Sequence, residues 1–268
     1  MWSRATVDPA GVDAPTVTDL PPGPLAPVMS QPTQASAMGA KALRTFQAIV
    51  LFVAAIVGGS VGISLWALAA PALGVAEGTT AFEIANTVAQ FAGLVAPVGL
   101  FVAAAGDREL LSWGRPHSRQ VAIAVGAVAV LYLGQIGLVT ALSQFDVSPS
   151  QNPAVDPAGR QAAYFLLMIP VSLFVVGPAE ELLVRGGIQG LLARAWGPWP
   201  GIVGASALFG SLHYIGGGTG ALAYVALSFL LGCLLGSLYE RTGNLVVPMI
   251  AHGGYNAAIY TIQYVTYG

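Results

Sequence analysis

The chain has 268 residues, 55% hydrophobic and 8% charged, with a mean hydropathy of +0.72. A soluble domain carries about 25% charged residues, so this one lacks the charge to cover a water-facing surface, and a net charge of −2 without a Lys/Arg-rich stretch argues against a nucleic-acid partner. The single cysteine, Cys233, excludes an internal disulfide framework and a Cys-rich zinc site, and reads as a small core residue of an apolar helix.

Residues 1–40 stand apart in composition, with Pro9, Pro15, Pro21, Pro22, Pro24, Pro27 and Pro32 among Ala, Thr and Ser. Such a stretch buries no core and lacks the layout of a signal peptide, which predicts a disordered tail. Beyond it the charges are clumped. Runs of 32, 23, 26, 19 and 45 uncharged residues follow Arg44, Glu83, Arg119, Arg160 and Arg194, and nothing after Arg241 is charged. A crossing takes roughly 20 apolar residues, so each run accommodates one span and the longest accommodates two. The predicted fold is therefore all-α, a polytopic membrane bundle of about seven transmembrane helices. They fall near 45–70, 84–105, 120–142, 161–194, 200–215, 220–239 and 245–266, the first three in an N-terminal region, 41–155, and the rest in a second, 156–268.

The fourth span is too long for one straight crossing and contains Pro170 and Pro178, which predicts a kink or a break. Gly216, Gly217 and Gly218 predict a tight turn between the fifth and sixth spans. Lys41 and Arg44, then Arg108, Arg115 and Arg119, then Arg194, then Arg241 fall on alternate connections. By the positive-inside rule the N-terminus is cytoplasmic and the C-terminus external.

Charge within a span is expensive and marks functional candidates. Glu180, Glu181 and Arg185 lie within a turn and a half of the fourth span. Glu181 and Arg185 are four apart in the favourable acidic-before-basic order. Glu180 lies about 100° around the helix, without a cation at that spacing, as suits a general base. The competing reading is an ion-paired cluster at the cytoplasmic end of a helix. Of three histidines, His117 sits in the basic loop and reads as solvated, whereas His213 and His252 lie in apolar spans. Phe209 precedes His213 by one turn, and Asn256 follows His252 by one turn. Counting about 1.5 Å per residue from the cytoplasmic helix ends places Glu180 and His213 about 20 Å deep and His252 about 12 Å deep. One cavity opening to the cytoplasm accommodates all three.

A carboxylate with two imidazoles activates water directly or through a metal, and an Asn and a His donate to an oxyanion. No nucleophile is singled out, so water-mediated hydrolysis ranks above acyl-enzyme chemistry. The H-E-x-x-H zinc pattern is absent; a divalent metal such as zinc is compatible with these residues, but no known ligand spacing indicates one.

These residues resemble the CPBP intramembrane proteases, which include type II CAAX prenyl proteases and the bacteriocin-processing Abi proteins. The three motifs E-E-x-x-x-R, F-x-x-x-H and H-x-x-x-N stand in order as Glu180-Glu181…Arg185, Phe209…His213 and His252…Asn256. Arg241 to Leu245 also resembles the family's approach to the last motif, and the likeness covers about 160–260. Val184 departs from the aromatic residue that often precedes the Arg, which touches packing more than chemistry. The resemblance implies an integral membrane endopeptidase in which Glu180 activates water and Glu181 and Arg185 support it. His213, His252 and Asn256 would bind water or stabilise the oxyanion. In a bacterial cell membrane the substrate implied is a peptide or membrane protein rather than a prenylated one. Two other classes remain open: a non-catalytic membrane scaffold or bacteriocin-immunity-type protein, and a small-solute or proton transporter. Against the transporter, the two halves show no internal repeat.

Overall fold

A computed structural model describes residues 34–214 and 217–267. Within them the chain forms seven long helices and no strand: α1 Gln34–Ala69, α2 Thr80–Ala105, α3 Ser118–Ser143, α4 Ala162–Trp196, α5 Pro198–Ser211, α6 Gly218–Thr242 and α7 Val246–Tyr267. The all-α bundle expected from the charge spacing is therefore the fold. Five of the seven, α1 to α4 and α6, are long and apolar enough to cross a membrane. Helix α5 has 14 residues, about 21 Å of rise, short of about 30 Å of hydrocarbon. Helix α7, with 22 residues, is long enough, but His252, Asn256 and Gln263 lower its apolar character. The outer faces of α1, α2 and α3 expose Leu65, Leu100 and Leu133, as helices facing lipid do. The chain is an integral membrane protein.

Helix α1 begins at Gln34, so residues 34–40, read as part of a disordered tail, are helical. The rest of that tail, 1–33, lies outside the described residues, as does Gly216 of the glycine turn. Gly217 and Gly218 both have positive φ, +74° and +71°, which an L side chain adopts only under strain, and they start α6. His117 is not merely solvated: it caps α3, its Nδ1 accepting from the Gln120 amide at 3.3 Å while Gln120 Oε1 accepts from the His117 amide.

The fourth span does not break. It stays helical from Ala162 to Trp196, with two π-helical stretches, Ser172–Val176, which lies between its two prolines, and Leu182–Gln189. Pro178 has no N–H and crowds the carbonyl four residues back. Widening the preceding turn relieves that crowding, and the stretch closes with the Gly177 amide donating to Ser172 O.

The basic connections gather at one end of the bundle. There Arg194 pairs with Asp107, Arg44 donates to Arg194 O at 2.7 Å, and Leu245 donates to Ser112 O at 2.8 Å. Asn244 joins the α6–α7 turn to the α2–α3 loop through Gly114 N and O, at 3.3 and 3.1 Å. The opposite end holds the Glu83–Arg160 pair and the bond from the Ser150 amide to Gly220 O. Between the ends, a core of Leu51, Val98, Leu183, Ile188 and Phe209 joins α1, α2, α4 and α5.

Candidate active site

Helices α4 and α7 cross where both present glycine. A Cβ on Gly177 would stand 2.6 Å from Gly253 N, and one on Gly253 would stand 2.9 Å from Ser172 O. Small residues let membrane helices approach at backbone distance, and this crossing lies one turn from the carboxylates on α4 and one residue from His252 on α7. It brings His252 of α7 between the two carboxylates of α4. His252 Nδ1 is 2.8 Å from Glu181 Oε1, and Nε2 is 3.4 Å from Glu180 Oε2. Arg185 Nε lies 3.2 Å from Glu181 Oε2, and both side chains of that pair are wholly buried. The expected Glu181–Arg185 pairing is present. Glu180, read as having no cation at hand, faces the imidazole instead, because its partner comes from a helix 72 residues along the chain.

The hydrogen bonds define the tautomers. With Arg185 beside it, Glu181 accepts, so His252 Nδ1 carries a proton and Nε2 is directed at Glu180. His213 lies just beyond α5, its Nδ1 2.9 Å from Phe209 O. A carbonyl only accepts, so this nitrogen is also the donor and Nε2 is left free. The Phe209 ring stacks edge-on with both imidazoles, at 4.7 Å from His213 and 5.8 Å from His252. The Arg185 guanidinium lies over its face at 5.3 Å.

Glu180, His213, His252 and Asn256 line one cavity of about 740 Å³. It runs along α7 to Tyr267 and is bounded by residues of the α3–α4 loop, Ser148 to Asn152. Those elements belong to the end away from the basic loops, so the cavity extends opposite to the expected direction. Helix α4 continues past the level at which α7 begins. The Glu180–His252 contact puts at one depth residues that the count had placed apart.

Glu181 and Arg185 do not line the cavity; they sit behind it. Below them runs a polar ladder that the motifs do not include. Arg185 Nη2 donates to Gly232 O at 3.0 Å; one turn on, Gln189 Nε2 donates to Gly236 O at 3.2 Å and to Glu240 Oε1 at 2.9 Å. Gln189 is four residues beyond Arg185 on the same stripe, a signal available in the sequence. Tyr224, edge-on to His213 at 5.4 Å, had no such signal.

Among the described residues no group of three or more His, Cys, Asp or Glu comes together to hold a metal. His252 directs both nitrogens at carboxylates and His213 commits Nδ1 to a carbonyl, so this donor set does not fit a metal as it stands.

Residues 162–258 match the model of a family described as Rce1-like type II CAAX prenyl endopeptidases. This segment is Rce1-like. It contains all seven motif residues, from Glu180 to Asn256, so the polar cluster lies in the segment that is similar to those endopeptidases. The resemblance carried by the three motifs is thus borne out over the second half of the chain. No curated protein and no solved structure matches the chain.

Proposed function

We propose that the chain is an intramembrane endopeptidase that hydrolyses a peptide bond with water activated by Glu180. The observation that supports this most is the linear array Glu180–His252–Glu181–Arg185, with its carboxylate end in the cavity and its guanidinium end buried. Glu180 takes a proton from water as the oxygen attacks the scissile carbonyl, and returns it to the departing amine. Asn256 makes no hydrogen bond to another described residue and lines the same cavity, so its amide N–H is the donor offered to the oxyanion. His213, whose Nδ1 donates to Phe209 O, offers its free Nε2 to the water.

The substrate is a peptide or membrane protein, and the basic loops orient the N-terminus to the cytoplasm of a bacterial membrane. The test compares membranes holding the wild type or Glu180→Gln and searches the membrane proteome for new N-termini. The expected result is a set of cleavages present with the wild type and absent with Glu180→Gln, at equal insertion and folding. Cleavages retained by the variant remove Glu180 as the base.

A further inference from the structure

Of the two site histidines, His213 has less to hold it. His252 directs both ring nitrogens at carboxylates of α4 and sits within a helix. Helix α5 ends at Ser211, and His213 stands in the turn beyond it, its backbone amide donating to Gly210 O at 2.9 Å. Among the described residues its side chain makes one hydrogen bond, from Nδ1 to Phe209 O. A ring held at one atom pivots about that bond, and Nε2 is carried with it.

Two aromatic rings restrict the pivot. Phe209 stands edge-on to the imidazole at 4.7 Å, and Tyr224 of α6 stands edge-on at 5.4 Å with an interplanar angle of 81°. Both contacts fall within the favourable range of about 4.5–7 Å for such pairs. Phe209 belongs to the helix that His213 follows, whereas Tyr224 comes from another helix and ties the turn to the rest of the bundle. The crossing of α5 and α6 brings it there. A Cβ on Gly210 would stand 2.9 Å from Val225 O and 3.3 Å from Phe229 Cβ, so hydrogen at Gly210 lets α6 approach at backbone distance beside Tyr224. The Tyr224 hydroxyl is not what meets the imidazole. It faces the side-chain amide of Asn152, whose Oδ1 accepts from the Ala154 amide at 2.9 Å. What Tyr224 presents to His213 is its ring.

We propose that Tyr224 is a positioning residue, whose ring holds the His213 imidazole so that Nε2 faces the cavity. Its effect on turnover rests on the endopeptidase reading; its effect on the imidazole does not. Tyr224 also lines the cavity, so the competing role is contact with substrate, and kinetics separate the two. A residue acting through His213 changes kcat, whereas one that binds ground state and transition state alike changes KM.

The full-length protein in liposomes carries Tyr224→Phe, Tyr224→Leu or Gly210→Ala, and kcat and KM are measured on a peptide spanning a Glu180-dependent cleavage site. Carbethoxylation of His213 by diethyl pyrocarbonate, read by peptide mass spectrometry, reports on the imidazole without turnover. Tyr224→Leu is expected to lower kcat by about tenfold at unchanged KM and to raise the carbethoxylation rate severalfold. Tyr224→Phe keeps the ring and should return both to near the wild-type values. Gly210→Ala moves α6 away from the turn and should shift both as Tyr224→Leu does, which covers the case in which Tyr224→Leu fails to fold. A rise in KM as large as the fall in kcat overturns the proposal, as does Tyr224→Phe being as impaired as Tyr224→Leu. Wild-type carbethoxylation in both ring-displacing variants overturns it too. Absence of any Glu180-dependent cleavage overturns the endopeptidase reading, and the carbethoxylation rates then decide the placement of the imidazole by themselves.

Discussion

Gly177→Ala adds one methyl group at the α4–α7 crossing and touches none of the polar residues. Its Cβ would lie 2.6 Å from Gly253 N, 2.7 Å from Gly253 Cα and 3.2 Å from Met249 O, all main-chain atoms that cannot rotate away. Ordinary contact begins near 3.5 Å, so the helices must part by about 1 Å. Overpacking of this kind costs about 1–3 kcal/mol. The same displacement stretches the His252–Glu181 bond from 2.8 Å past the useful range. A misplacement of about 1 Å in a catalytic array lowers turnover by about a hundredfold. The assay measures Glu180-dependent cleavage and thermal unfolding in detergent for a series of Gly→Ala variants. Gly177→Ala and Gly253→Ala should lose both activity and stability. Gly254→Ala, whose nearest neighbour is the mobile Val128 Cγ2 at 2.8 Å, should lose less, and Gly134→Ala, with nothing within 4 Å, should lose nothing. Wild-type turnover in folded Gly177→Ala refutes the claim that this crossing sets the site.

Removing one partner of the wholly buried Glu181–Arg185 pair leaves a charge without compensation, about 3–5 kcal/mol in a soluble core. Arg185→Met should therefore unfold at markedly lower temperature; Glu181→Gln with Arg185→Met should recover much of that stability and no cleavage, and full recovery of cleavage would contradict the array. Gly62→Ala makes a Cβ overlap Ala89 O across α1 and α2, so it should lower the melting temperature while leaving turnover below melting unchanged. Because His252 directs both nitrogens at carboxylates and His213 commits Nδ1 to a carbonyl, a chelator should leave cleavage at its untreated rate; loss restored by zinc would show that these side chains rearrange around a metal.

The helices and the charged cluster were legible because a membrane chain spends charge sparingly. With six uncharged stretches setting the spans, Glu180, Glu181 and Arg185 stand out as charges out of place, and the two intramembrane histidines follow. What could not be read was anything set by which helix lies against which. The imidazole facing Glu180 comes from α7, and no spacing along α4 points to it. Pro170 and Pro178 signalled disturbance, but relief by π-helical turns rather than a break depends on neighbours that hold the helix together. The direction of the cavity depends on which loops and helix ends border it, here the α3–α4 loop and the end of α7, and no charge along the chain marks that. Gln90 and Gln135 lie in apolar spans of different helices, and only the fold turns both toward one space.

The placement of glycine on α6 completes the physical account of the site. Lipid supplies no hydrophobic drive between helices, so association rests on close packing and on polar bonds. Along α4, Glu181, Arg185 and Gln189 recur every four residues; along α6, Gly232, Gly236 and Glu240 recur at the same interval. A Cβ at Gly236 would stand 2.6 Å from Gln189 Oε1 and one at Gly232 would stand 3.2 Å from Ser206. With hydrogen there instead, Arg185 and Gln189 reach the main-chain oxygens of both positions. Those oxygens supply the acceptors that water would supply in a soluble protein. A polar stripe and a glycine stripe in register on adjacent helices are what allow an arginine with no solvent exposure to hold Glu181, and through it the imidazole that faces the cavity.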